Sequence, residues 1–297
     1  MASIVIIGSG FVGQANGKVL EKQGHRVLFV DVDNAKITKL RDEGYHATNY
    51  EEFPPDLHVD VFFLSVPTPT DGGQVKLDFI RQAAQNLGGL LSRYDTHPIV
   101  VIKSTIPPGT TNHLVIPILE KYSGKKEGRD FGVAFEPEYL REATSVQDAE
   151  RPRVITIGSR HVHTASVVAW LRAPFHCPIK QVKTEEAEMQ KYVHNLFNAA
   201  KITFFNEMRD VCKKLDLNDQ QIFEITADSA EASWNTRYGI RDMGAFDGSC
   251  LPKDTSAFLG FAKEKLGTEM PLLSTVIEVN NRILKSESEQ KKVSQNS

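Results

Sequence analysis

Residues 3–13 read SIVIIGSGFVG, and the turn inside that run decides the fold. SIVIIG (3–8) is short and almost continuously apolar, which suits a strand buried on both faces. Phe11 to Gln23 then takes up helical spacing without a break. Between the two lies the pattern G-x-G-x-x-G. Gly8 permits the tight turn, Gly10 lets the backbone approach a diphosphate, and Gly13 lets the helix pack closely on the strand. The diphosphate rests on the helix N-terminus, where N–H groups and the helix dipole favour negative charge. The next strand, Arg26 to Val30, ends at Asp31, eighteen residues past Gly13. A carboxylate there accepts hydrogen bonds from both ribose hydroxyls and repels a 2′-phosphate. NAD rather than NADP is therefore expected, with Asp31 rather than Asp33 as the contacting acid.

Further strands are expected at VDVFFLSV (59–66), HPIVVIK (97–103), FGVAF (131–135) and RVITIG (153–158). Helical stretches fall at 34–43, 77–92, 111–121 and 164–172. Strands alternating with helices give an α/β fold, a doubly wound parallel sheet of the Rossmann type. Past residue 184 the pattern changes. Residues 185–215 contain no Gly or Pro and keep a helical apolar period, so they form one long helix. Residues 219–228, 254–265 and 271–285 also read as helices, and no strand run stands out beyond residue 190. The expected division is a dinucleotide-binding domain, 1–184, and an all-helical central domain, 185–297. The polar end, SESEQKKVSQNS, is expected to fray.

Composition excludes several classes. A length of 297 residues with 40% hydrophobic content is enough for two cores. A net charge of -3 gives no basic surface for nucleic acid. No apolar run is long enough to span a membrane, and MASIVIIGSG has no basic residues before its apolar stretch, so it reads as a strand rather than a signal peptide. The three cysteines, Cys177, Cys212 and Cys250, are an odd number without metal spacing. They point to a reducing cytoplasm, free thiols and no zinc. His161 and His163 alternate, but no acid or cysteine lies nearby in sequence to complete a metal site.

Three polar motifs each follow a strand: SVPTPT (65–70), KSTIPPGT (103–110) and EPEYLRE (136–142). In an open parallel sheet, ligands bind beyond the carboxyl ends of the strands, so all three converge on one crevice. On the long helix Lys191 and Asn195 are four apart and share a face, suited to polarising an oxygen. The stretch GSCLPKD (248–254) sets Pro252 in a first helical turn, with Cys250 at or before the N-terminus. The helix dipole and Lys253 favour a thiolate there. The residue is then either an activated nucleophile or a buried cysteine capping a helix.

Taken together, GSGFVG, SVPTPT, KSTIPPGT, EPEYLRE, the Lys191/Asn195 pair and GSCLPKD resemble the UDP-glucose/GDP-mannose dehydrogenase family, in its order, over roughly residues 3–285. That family oxidises the C6 hydroxyl of a nucleotide sugar, such as UDP-glucose, to a carboxylate with two NAD. The resemblance implies that Cys250 attacks the C6 aldehyde. Lys191 and Asn195 then stabilise the oxyanion. Asp254, Thr105 and Glu142 order water, with Glu142 or an Asp254-held water as base. Glu138 holds the sugar or the water network. It further implies NAD contacts at Gly8, Gly10, Phe11, Val12, Gly13, Asp31, Val66, Pro67, Thr68, Ser104, Thr105, Glu142 and Lys253. Sugar contacts are implied at Glu138, Tyr139, Leu140, Arg141, Lys191, Asn195, Gly248 and Cys250. A cytoplasmic homodimer packed through the helical domain is implied, with a role in uronic acid and polysaccharide biosynthesis.

Some features depart from the resemblance. A third, nucleotide-binding domain would follow residue 285, where this sequence has only a polar tail. MGAFDGSC (243–250) carries Asp247 where a glycine-aromatic string is usual, and Glu136 stands where Asn or Ser is common. Two other readings stay open. One is a two-electron β-hydroxyacid dehydrogenase, which also joins a Rossmann domain to a helical one. The other is a non-catalytic NAD-binding homologue.

Overall fold

The computed structural model describes residues 1–240 and 244–295, with all their side chains except those of Glu142 and residues 291–295. Elements follow in the order β1 (Ser3–Ile7), α1 (Phe11–Lys22), β2 (Arg26–Val30), α2 (Asn34–Asp42), β3 (Ala47–Thr48) and β4 (Val61–Leu64). A small hairpin, β5 (Thr70–Asp71) and β6 (Gln74–Val75), leads to α3 (Asp78–Leu91) and β7 (Ile99–Ile102). Then come α4 (Ile116–Ser123), β8 (Gly132–Phe135), α5 (Ser145–Glu150), β9 (Ile155–Ser159), α6 (Val162–Arg172) and β10 (Ile179–Val182). The helices α7 (Thr184–Lys214), α8 (Asp219–Ser229), α9 (Glu231–Trp234), α10 (Leu251–Leu266) and α11 (Pro271–Gln295) complete the chain. It forms two compact units, 1–194 and 195–297, and the division falls within α7.

In the first unit eight strands form one sheet in the order β10-β9-β8-β7-β4-β1-β2-β3. Every pairing is parallel except β8 with β9, which is antiparallel. The parallel-only expectation is corrected there. Residues 136–154 hold only a short helix, α5, and re-enter the sheet beside the edge they left. α5, with 6 residues, is too short a helix to carry the chain back along a strand and start β9 from the same end as β8. Strand alternation divides the core into two layers. Val5, Ile7, Phe62, Leu64, Val100 and Ile102 pack on α3, α4 and Ala187 of α7. Ile4, Ile6, Val61, Phe63, Ile99 and Val101 pack on α1, α2 and α6. Each large side chain so buried contributes about 1.5–3 kcal/mol.

A π-helical turn, Thr111–Val115, precedes α4, whose second residue is Pro117 and cannot donate an N–H. The second unit has a smaller core, Val211, Ala262 and Met270 with Met208, Phe258, Leu259, Leu266 and Leu273. Glu207 accepts the N–H groups of Leu272 and Leu273 and so caps α11. That helix runs to Gln295 rather than stopping near 285, because SESEQKKVSQ has no breaker. No helix among the described residues is long and apolar enough to cross a membrane.

Candidate active site

The glycine loop is fixed by close contact. Gly8 has φ +91, and a Cβ on it would lie 2.5 Å from the Ser65 carbonyl oxygen. A Cβ on Gly13 would lie 2.0 Å from the Gly8 carbonyl oxygen. At Gly10 an added Cβ would meet nothing within 4 Å, so space stays open before the loop. A groove of about 540 Å³ is lined by Gly8, Gly10, Phe11, Val12, Asp31, Val66 and Pro67, seven of the residues expected to hold NAD. Asp31 is 6% exposed. Its Oδ2 accepts the Ser9 N–H at 2.6 Å, its Oδ1 accepts the Asp33 N–H at 3.0 Å, and Lys36 Nζ stands 3.7 Å away. The carboxylate is therefore aimed by backbone donors, and the groove fits a dinucleotide. Replacing Asp31 by alanine should weaken NAD about 10- to 100-fold, the loss of one or two charge-assisted hydrogen bonds, and remove the preference over NADP. Fluorescence titration with each dinucleotide checks both effects.

The next two loops are tied to each other. Thr68 Oγ1 donates to the Thr105 carbonyl at 2.7 Å, and Ser104 Oγ donates to the Val66 carbonyl at 2.7 Å. These two hydroxyls thus shape the crevice wall. The KSTIPPGT loop is also held from α7. Glu188, fully buried, accepts the Gly109 N–H at 2.5 Å and the Thr111 N–H at 2.8 Å. Burial pushes its carboxyl above the usual range, partly offset by these donors at a helix start. Sequence reasoning missed Glu188. Its one signal was an acid three residues before Lys191 on an apolar helix face.

In the EPEYLRE loop, Lys191 is 4% exposed. Its Nζ donates to the Glu138 carbonyl at 2.5 Å and lies 2.9 Å from Glu138 Oε1. Glu138 Oε2 accepts the Leu140 N–H at 2.6 Å, which curls the loop. Tyr139 Oη donates to Gln190 Oε1 at 2.5 Å, with Thr156 Oγ1 at 2.9 Å, and its ring lies 4.8 Å from that of His194. Burial pushes the Tyr139 phenol up and the His194 imidazole down. Arg141 makes a two-pronged bond to Asp148, at 2.7 and 3.0 Å, so its guanidinium is engaged within the loop. The backbone of Glu142 begins a 3₁₀ turn, Glu142–Thr144, and its side chain lies outside the described part of the structure.

The second unit carries the other expected residues. Asn195 is exposed on α7. Cys250 occupies the N-cap position of α10, with Pro252 in the first turn as expected. Of the three cysteines, Cys212 is buried, Cys177 is intermediate and Cys250 is exposed, so the reading of Cys250 as a buried cap is overturned. Ser249 Oγ lies 3.7 Å from its Sγ. Lys253 Nζ stands 3.2 Å from Asp254 Oδ1, both side chains about two-thirds exposed. Gly248 and Asp247 are exposed, and Met243 lies outside the described residues. The approach to the thiol is fastened by α11, which sequence reasoning did not foresee. Buried Asn280 accepts the Phe246 N–H at 2.7 Å and donates to the Phe246 carbonyl at 2.9 Å. Glu287 accepts the Ala245 N–H at 3.1 Å. No cluster of three or more His, Cys, Asp or Glu side chains able to hold a metal occurs among the described residues.

Known proteins resemble this chain in sequence and in fold. The model for the NAD binding domain of the UDP-glucose/GDP-mannose dehydrogenase family matches residues 2–51 and 45–176, and the model for that family's central domain matches 185–282. GDP-mannose 6-dehydrogenase of Pseudomonas aeruginosa is 32% identical over 298 residues, covering 94% of this chain and 68% of the relative. UDP-glucose 6-dehydrogenase of Haloferax volcanii is 33% identical, covering 93% of this chain and 69% of the relative. Among solved structures, a ternary complex of GDP-mannose dehydrogenase from P. aeruginosa aligns with a TM-score of 0.87 at 31% identity, over 95% of this chain and 69% of that one. A UDP-glucose dehydrogenase from Pyrobaculum islandicum aligns with a TM-score of 0.71 at 32% identity, over 95% of this chain and 68% of that one.

Proposed function

The chain belongs to the UDP-glucose/GDP-mannose dehydrogenase family, and from that premise we propose that it oxidises the C6 alcohol of a nucleotide sugar, UDP-glucose or GDP-mannose, to the uronic acid in two steps. NAD, one molecule for each oxidation, would supply the hydride acceptor. The chain's own residues do the rest. In the first step the C6 hydroxyl loses its proton to a base, Glu142 or a water held by Asp254, as its C–H bond breaks. Lys191 and Asn195 steady the oxygen on which charge develops. The Cys250 sulfur then adds to the aldehyde carbon, and the new tetrahedral carbon again bears a hydrogen to lose. The second oxidation leaves a thioester on Cys250, which water ordered by Thr105, Glu142 and Asp254 hydrolyses to the carboxylate and free thiol. Lys253 anchors substrate or cofactor beside the sulfur, and the 138–141 backbone and Gly248 contact the sugar.

The observation that carries this reading over a two-electron dehydrogenase is the exposed thiol at the start of α10. A two-electron reaction has no use for it. A second copy of the chain is the proposed partner of the helical unit, whose part of α7 leaves Leu196, Phe197 and Ile202 more than 60% exposed. The decisive measurement is anaerobic incubation with NAD and a panel of UDP- and GDP-sugars. Two NADH per acid support the proposal. One NADH per product, with a carbonyl as the end point, replaces it with the two-electron reading.

A further inference from the structure

Ser65, Val66 and Pro67 form part of the wall of the dinucleotide groove. That wall hangs on the KSTIPPGT loop beside it. Ser104 Oγ donates to the Val66 carbonyl, and Thr68 Oγ1 donates to the Thr105 carbonyl, both at 2.7 Å. One end of the KSTIPPGT loop is fixed by a buried cluster. Lys103 Nζ donates to Glu136 Oε1 at 3.0 Å, and Arg172 Nε donates to Glu136 Oε2 at 3.1 Å. At the other end Pro107 and Pro108 have no N–H to donate, and Gly109 has φ +89. There the loop is tied down by the N–H groups of Gly109 and Thr111. Both go to one carboxylate, Glu188, at 2.5 and 2.8 Å.

Glu188 is itself held without slack. It lies in the second turn of α7, whose start packs tightly on β9: a Cβ on Gly158 would lie 2.7 Å from the Ala187 Cβ and 2.9 Å from the Thr184 Cα. Ala187 and Glu188 are both buried. Burial is the largest influence on the Glu188 carboxyl and raises it, and the N–H groups of Gly109 and Thr111 oppose that. Its charged and titratable neighbours on α7 are Glu185, which raises it further, the Tyr192 phenol, and Lys191, which is engaged by Glu138. Glu185 accepts from Asn112 Nδ2 at 2.5 Å and is held below the usual carboxylate range, so it stays ionised. On the turn that Glu188 caps, His113 is exposed and acts on Glu185. Only an ionised Glu188 offers an acceptor to both loop N–H groups. A proton on one oxygen makes it a donor facing a donor, and one of the two ties is lost.

We propose that Glu188 is a positioning residue for NAD: acting through the KSTIPPGT loop, its carboxylate sets the 65–67 wall of the dinucleotide groove. Glu188 does not line that groove, so it acts through the loop and not by touching the dinucleotide. A carboxylate that only capped a helix would contribute stability and leave NAD affinity alone. A positioning carboxylate also couples its own proton to NAD. NAD binds the ionised form more tightly, so affinity falls as pH falls through the Glu188 titration, and by reciprocity NAD binding expels a proton. Every residue in this chain of contacts belongs to the first unit. The inference does not depend on the reaction proposed above, and its test needs no turnover.

The test is calorimetric titration of the full chain with NAD, without sugar nucleotide, from mildly alkaline to mildly acid buffer at constant ionic strength. Wild-type affinity should fall about tenfold on acidification, the scale of one charge-assisted bond. Glu188→Gln keeps the size of the side chain but offers one acceptor and turns an N–H toward the other donor. It should bind NAD about tenfold more weakly in alkaline buffer, with little further change on acidification. His113→Gln should keep the wild-type profile. Titrations in buffers of different ionisation enthalpy count the proton, which wild type should release and Glu188→Gln should not. If Glu188→Gln does not fold, the wild-type chain decides by amide hydrogen exchange: protection of Gly109 and Thr111 should drop on acidification and recover when NAD is added. The proposal is overturned by a flat wild-type profile, by undiminished NAD affinity in folded Glu188→Gln, or by a pH slope that persists in that variant. It is also overturned if the slope disappears in His113→Gln, or if exchange at Gly109 and Thr111 ignores both pH and NAD.

Discussion

Replacing Cys250 by alanine should abolish acid formation while leaving NAD affinity nearly unchanged. The first oxidation breaks a C–H bond of an alcohol and needs no sulfur, so the variant should release at most one NADH per sugar and accumulate the aldehyde or its hydrate. The second oxidation needs a tetrahedral carbon bearing hydrogen, which the sulfur builds. Loss of a nucleophile typically costs roughly 10⁴- to 10⁶-fold in turnover, so the acid should fall below detection. NAD affinity is spared because the residues of the dinucleotide groove all belong to the first unit, whereas Cys250 belongs to the second. Uronate accumulating at the native rate would remove Cys250 from the chemistry.

The parts of this molecule legible in its sequence are those set by local pattern. The glycine loop, the acid after β2 and the apolar strands β1, β4, β7 and β8 fall within a residue or two of expectation, because turn chemistry and double-sided burial leave a compact signature. β10 was not legible. Its sequence IKQV is half exposed and offers no apolar run. Nor was the reversed direction of β9, since a period of two reads the same either way along the sheet. At the site, motifs announced the loops but not what holds them. Glu188, Asn280 and the Lys103–Glu136–Arg172 cluster join groups 33 to 79 residues apart. A single acid or amide in a helix or at a strand end gives no hint of so distant a partner. Glu136 was visible only as an unusual residue at the end of a buried strand.

Lys191 offers the second large effect, and one that separates chemistry from architecture. Its ammonium carries three protons, and two of them face the carbonyl and carboxylate of Glu138. In the proposed reaction the third is the one that polarises a substrate oxygen. Lys191→Met keeps the length of the side chain and removes the charge, and turnover should fall about 10²- to 10³-fold, as for loss of a preorganised oxyanion donor. The same change strands Glu138, whose side chain is only 12% exposed. Breaking a buried pair by removing one partner costs about 3–5 kcal/mol, so the melting temperature should fall as well. The double variant Lys191→Met/Glu138→Gln decides between the two causes. With the stranded charge neutralised, thermal stability should largely return while turnover stays low. If steady-state assays show activity returning together with stability, Lys191 serves only to hold the loop, and the oxyanion must be steadied by another group.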